Sequence, residues 1–195
     1  ASGTFGLGNG IVFGLLGLDS PWNTLTNAIG PGYQRDVGFF GDSSLLLVRD
    51  GMELEVQAEQ VQRPRRTAVV RTGARSGELG WTTSDVALVG EPVIARHVTV
   101  VNDGSVTAAD LVMRLTVAVA DEDGSLADGD GLVQVRGERQ MRVDCPGETL
   151  EAGESWLDVA VPALGPGEQV SFVCLHRFSD DTVFESFIIL LAKVF

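Results

Sequence analysis

The sequence predicts an all-β fold, a large antiparallel β-sandwich with little helix. Three observations carry this. Apolar and polar residues alternate with period two through most of residues 44–180, as strands do when one face meets a core and the other meets water. Gly, Asp, Asn and Pro break those runs at short intervals, and the 24 glycines suit that density of turns. No stretch of ordinary helix length joins a 3.6-residue period to capping residues.

The elements follow in order. Gly6-Leu7-Gly8-Asn9-Gly10 reads as a tight turn that starts a strand at Ile11-Val12-Phe13. A dinucleotide loop needs a strand before it and a helix after it, so nucleotide binding is rejected. Ser20-Pro21-Trp22-Asn23-Thr24-Leu25 fits one short turn of helix, with Ser20 as N-cap and Pro21 at the first helical position. Asp50-Gly51 separates Leu45–Val48 from Met52–Val56 and is a two-residue hairpin signal. The strict alternation of Met52 to Gln57 reads as strand, and Val93–Val101, apolar on parts of both faces, as a central strand. Asn102-Asp103-Gly104-Ser105 turns the chain into the alternating run that starts at Leu111. Asp121 to Gly131 reads as a Gly/Asp-rich turn before Leu132–Arg136, and Gly137-Glu138 as a turn before Arg139–Val143. Ala152-Gly153-Glu154 and Leu164-Gly165-Pro166-Gly167-Glu168 precede strands near Trp156 and Gln169. Asp181 to Phe195 fits either a final strand or a short amphipathic helix.

Roughly a dozen strands with no Pro/Ser linker read as one domain over residues 1–195. Within it, residues 1–43 form a segment rich in glycine and aromatics, read as loop between sparse strands. The chain carries 14 Lys+Arg against 27 Asp+Glu, a net charge of −13. That balance argues against nucleic acid as a partner, and no apolar run is long enough for membrane insertion. Secreted, periplasmic and cytoplasmic locations all stay open.

Cys145 and Cys174 are too few for a disulfide scaffold and lack metal-ligand spacing. Cys174 alternates with Val170, Phe172 and Phe178, so a buried free thiol is favoured over a Cys145–Cys174 bridge. Five of the thirteen arginines fall between Arg63 and Arg75. A solvated strand face is favoured there over a patch for an acidic ligand. The five carboxylates between Asp121 and Asp130 suggest Ca²⁺, but Leu126 and Leu132 occupy the positions where an EF-hand loop needs Gly and Glu. A solvated hairpin loop is the favoured reading. His97 and His176 are the only histidines, which excludes a three-His site, and both read as ordinary strand residues. No Gly-x-Ser-x-Gly elbow occurs. No catalytic residue, metal or cofactor is assigned.

One cluster suits a ligand. Trp22, Tyr33, Phe39 and Phe40 share the N-terminal segment with Asn23, Asn27, Gln34 and Asp42. Aromatic rings stack on sugar faces while amides and carboxylates bond hydroxyls, although a loop packed over the core uses the same residue types.

Gly8-Asn9-Gly10-Ile11-Val12-Phe13, Pro21 through Leu25, and Gly30-Pro31 resemble the opening of a known domain family. These are the N-terminal super-sandwich β-domains of α/α-toroid glycoside hydrolases and phosphorylases. Ala95 to Gly104 resembles their central strand, and Leu164 to Glu168 the late turn before a closing strand. Ig-like modules of bacterial surface proteins share these turns. The resemblance implies a non-catalytic accessory domain that packs on a catalytic domain and borders a sugar site. Asn9, Trp22, Asn23, Tyr33 and Gln34 are the candidate sugar-facing residues. In such enzymes the catalytic acid and base lie in the toroid, so none is carried over. Carbohydrate is the expected ligand. A catalytic domain or partner chain is the expected contact of the apolar run Phe187-Ile188-Ile189-Leu190-Leu191. The rival reading is an Ig-like protein-interaction or stalk module.

Overall fold

The computed structural model describes residues 3–17, 23–31, 39–118, 125–128, 131–136, 139–153 and 155–179. They form two antiparallel sheets and no helix. The first sheet runs, in spatial order, β1 (Thr4–Gly8), β2 (Phe13–Gly17), β3 (Thr24–Ile29), β4 (Ser43–Arg49), β10 (Leu111–Val117), β15 (Trp156–Ala160) and β14 (Thr149–Ala152), with β5 (Met52–Glu53) paired to β4. The second runs β11 (Ser125–Asp128), β12 (Gly131–Arg136), β13 (Arg139–Asp144), β16 (Gln169–Ser179), β9 (Val93–Asn102), β8 (Leu79–Ala87), β7 (Val70–Ser76) and β6 (Gln57–Gln62).

The alternation read from the sequence sets which face turns inward. Met113, Leu115, Leu45, Leu47, Leu157 and Val159 project from the first sheet into the same core as Ile94, Val98, Val100, Phe172, Met141 and Val143 from the second. Each of these is at most 7% exposed. Burying them supplies the main driving force, at about 25 cal/mol per Å² of apolar surface.

The turns follow their chemistry. Asp50 and Gly51 both adopt positive φ, 52° and 74°, and the register pairs Arg49 with Met52. Positive φ at both central residues matches the right-handed twist of the flanking strands. Gly41 is held by packing instead. A Cβ there would clash with the Ala118 carbonyl, and the Gly41 amide donates to Gln134 Oε1 at 2.7 Å.

Several expectations are corrected. The Met52–Gln57 alternation is not one strand: β5 ends at Glu53, and the chain crosses to the second sheet before β6 starts at Gln57. Leu54 and Val56 keep their apolar character because they pack against the core on the way across. In the helical turn read at Ser20–Leu25, Thr24 and Leu25 already lie in β3, where Thr24 pairs with Gly17; residues 20–22 lie outside the described residues. The acidic turn is narrower than read, since β11 occupies Ser125–Asp128 and pairs with β12. The Gly137-Glu138 turn and the segment from Asp181 to Phe195 lie outside the described residues.

The free-thiol expectation is also corrected: Cys145 and Cys174 form a disulfide, with Cα atoms 4.3 Å apart. The register explains it. Asp144 of β13 pairs with Leu175 of β16, so the next pair along the two antiparallel strands is Cys145 with Cys174. Spacing in the sequence could not reveal this, because 29 residues and the whole β14–β15 excursion separate the two.

Two outcomes follow from the bridge. Denatured protein should take up no alkylating reagent at either cysteine until reductant is added, as read by intact mass. Cys145→Ala with Cys174→Ala should lower unfolding free energy by about 3–4 kcal/mol for a loop of this length. Full alkylation without reductant would contradict the pairing.

Candidate functional site

The site is built on β7, β8 and β9, where the sequence is polar on both faces. In β8, Trp81, Thr83, Asp85 and Ala87 turn inward and are buried, while Thr82, Ser84 and Val86 turn outward. In β9, Ile94, Arg96, Val98 and Val100 turn inward, and His97 and Thr99 turn outward.

The inward set places an ion pair in the core. Arg96 Nε donates to Asp85 Oδ1 at 2.8 Å, and both side chains are fully buried. Most of the remaining groups are tied in, and among the described residues only Arg96 Nη1 and Asn23 Oδ1 of this network lack a hydrogen-bond partner. Thr83 Oγ1 donates to Asp85 Oδ2 at 2.7 Å and contacts Thr72 Oγ1 at 2.7 Å. Arg96 Nη2 donates to the Asn23 carbonyl, and Asn23 Nδ2 donates to Thr83 Oγ1 at 2.6 Å. Asn23 holds φ at 57°, a left-handed conformation that Asn tolerates better than most residues. A buried charge pair repays its desolvation to the extent that its other donors and acceptors are engaged, and here Thr83 and the Asn23 carbonyl leave only Arg96 Nη1 of the pair without a partner among the described residues.

A second buried tie lies nearby. His176 of β16 is fully buried, and its Nε2 makes a 2.8 Å hydrogen bond with Ser43 Oγ of β4. Burial, and then the positive charge of Arg96, pushes the imidazole pKa well below its ordinary 6.5.

On the outer face of the same strands lies a solvent-open groove of about 590 Å³. Its floor follows the register. Gln62 pairs with Arg71, Arg71 with Ser84, and Ser84 with His97. Four strands at sheet spacing span about 14 Å. In the adjacent row Gly73 pairs with Thr82 and Thr82 with Thr99. Thr99 Oγ1 and Ser171 Oγ are 2.8 Å apart. The Gln60 side chain passes close over Gly73, where an added Cβ would press on it at 3.1 Å. The lining thus combines hydroxyls, amides, one guanidinium and one imidazole with the apolar side chains of Val69 and Val86.

The sequence-derived candidates fall in different places. Asn9 spends its carboxamide on the scaffold. Its Nδ2 donates to the carbonyls of Leu88 and Glu91, and its Oδ1 accepts from the amides of Ile11 and Val12 at 2.8 and 2.9 Å. It thereby clamps the β1–β2 turn to the β8–β9 turn. Asn23 is 2% exposed within the ion-pair network. Trp22, Tyr33 and Gln34 lie outside the described residues. His97 and His176 point to opposite faces of the second sheet, so they share no site. Among the described residues no cluster of His, Cys, Asp and Glu is placed to hold a metal.

No protein-family model and no curated protein matches the sequence. Solved structures do match its fold. A protein assigned as a kojibiose phosphorylase, from the human microbiome, superposes with a TM-score of 0.60 at 8% identity over 92% of this chain. The GH36 α-galactosidase AgaB of Geobacillus stearothermophilus gives 0.57 at 10% identity over 91%. This chain spans 30% of the first protein's length and 40% of the second's. A protein assigned as an aldose 1-epimerase, from Escherichia coli, gives 0.57 at 9% identity, with 92% of this chain and 99% of that one covered. The resemblance read from the sequence is borne out as a fold: this is the sandwich found within such larger enzymes and also in chains little longer than the sandwich itself.

Two stability outcomes follow. Arg96→Met leaves Asp85 buried without its partner and should cost about 3–5 kcal/mol in urea unfolding. His176 is neutral when folded, and the unfolded chain takes up a proton near pH 6.5. Stability from this group is therefore complete above that pH and falls on acidification, by about 1.4 kcal/mol per pH unit for one proton. His176→Gln should remove that component between pH 6.5 and 5.5. An unchanged pH profile in the variant would contradict the assignment.

Proposed function

We propose that this chain is a non-catalytic accessory β-sandwich domain of a carbohydrate-active protein, and that the outer groove of the second sheet is its sugar-binding surface. The observation that carries this reading is the groove floor of Gln60, Gln62, Arg71, Ser84, His97 and Thr99. Short hydroxyls and amides on a pleated face offer donors and acceptors at the spacing of sugar hydroxyls, and bridging water extends them. The fold likeness to domain-sized parts of a phosphorylase and a galactosidase supports an attachment to a catalytic domain. Trp22, Tyr33 and Gln34 keep their sequence-based assignment as residues that border the sugar site. Asn9 and Asn23 enter as scaffold for that border. The apolar Phe187–Leu191 run keeps its assignment as a contact for a catalytic domain or partner chain.

The test is a glycan array followed by titration calorimetry on the hits. Weak, reversible binding is expected, and Ser84→Trp, which fills the groove from an outward-facing position, should abolish it without lowering thermal stability. Trp81 is buried and Trp156 packs under the Arg114 guanidinium, and a ligand-dependent fluorescence change that vanishes in Trp22→Phe would support the border role of Trp22. Absence of binding to any glycan, or binding indifferent to Ser84→Trp, would overturn the reading.

A further inference from the structure

The charge of the groove runs against the charge of the chain. Acidic residues outnumber basic ones 27 to 14, yet among the described residues the groove lining holds no Asp or Glu. Its ionisable side chains are Arg71 and His97. The neighbouring carboxylates are engaged elsewhere. Arg75, on the same outward face of β7, takes Glu59 at 3.2 Å and Asp103 at 2.5 Å. Asp85, beneath the floor, is held by Arg96 on the core side. Arg71 is exposed and makes no ion pair among the described residues.

The loop that joins two lining residues of the groove adds to this. Gln62 and Val69 line the groove, and the chain between them carries Arg65 and Arg66 beside Arg63, whose Nη2 donates to the Gly6 carbonyl of β1. It turns at Pro64–Thr67, closed by the Thr67 amide on the Pro64 carbonyl at 3.2 Å and by Thr67 Oγ1 on the same carbonyl at 2.9 Å. Arg66 holds φ at 63°, a conformation uncommon outside Gly, Asn and Asp. Arg65 and Arg66 are exposed there. A guanidinium takes a carboxylate or phosphate in two parallel hydrogen bonds, which a neutral hydroxyl cannot match.

We infer that the groove selects a sugar bearing an oxyanion, bound through Arg71, with the ring hydroxyls on Ser84, Thr82 and Thr99. This rests on the carbohydrate reading above and narrows it to acidic sugars. A net charge of −13 repels anions at long range, so the selectivity is local and short-ranged and should fade with added salt.

Calorimetry with matched probes separates the outcomes. Trigalacturonate should bind roughly three- to tenfold tighter than its methyl ester, which keeps the ring and removes the charge. If the oxyanion is a phosphate, glucose 6-phosphate should show the same preference over glucose, and either preference supports the inference. Arg71→Gln should erase the difference, Arg71→Lys should restore part of it, and 0.5 M salt should reduce it. Equal binding of charged and neutral probes would overturn the inference and leave the carbohydrate reading standing. Binding of none of the four would overturn the inference, and the carbohydrate reading falls with it only if the glycan array is blank as well. Inorganic phosphate bound as tightly as glucose 6-phosphate would mark an anion site without sugar recognition and overturn the inference as well.

Discussion

The Asp85–Arg96 pair is the constraint around which this sandwich is arranged. Two charges with no solvent exposure depend on partners inside the protein, and among the described residues every polar atom of the pair except Arg96 Nη1 has one. Those partners come from β7 through Thr72, from β8 through Thr83, and from the entry to β3 through Asn23. The pair therefore fixes the register of three neighbouring strands and ties one sheet to the other at a defined point. Apolar packing alone would hold the sheets together with less positional definition, since hydrophobic contact is non-directional. The outward residues of those strands, Arg71, Ser84 and His97, inherit that definition because a strand that cannot slip cannot move its other face.

Much of the fold was legible in the sequence, because strands declare themselves by parity and turns by residue type. The Asp50-Gly51 hairpin and the Gly165–Glu168 turn, closed by the Glu168 amide on the Gly165 carbonyl at 3.0 Å, follow from local chemistry alone. Where the chain changes sheets, local pattern fails. Leu54 and Val56 alternate like strand residues yet serve a crossing, and nothing within six residues distinguishes the two uses. The Cys145–Cys174 bridge depends on a pairing across 29 residues, and only the assembled register makes it visible.

The candidate site was less legible, for a related reason. Asn9 in a Gly-rich turn has the chemistry of a ligand contact, and the same chemistry lets it satisfy four backbone groups of its own chain. A signal for the true arrangement was present in parity. Arg96 occupies the same phase as Ile94, Val98 and Val100, and Asp85 the same phase as Trp81 and Ala87. A charged residue in core phase on each of two strands in sequence points to a buried pair. The residues flanking them in sequence, Ser84 and His97, then fall on the opposite face and mark the groove.

The account's central claim is that the outer face of β6 to β9 is a ligand surface carried on strands that the buried pair holds in register. Amide chemical-shift mapping of the isotope-labelled chain during addition of trigalacturonate tests it most directly. The account predicts saturable shifts concentrated at Gln62, Arg71, Ser84, His97 and Thr99, with the amides of Asp85 and Arg96 protected from exchange throughout. Shifts confined to the outer face of the first sheet around Arg114 and Trp156, or no saturable shifts at all, would contradict it.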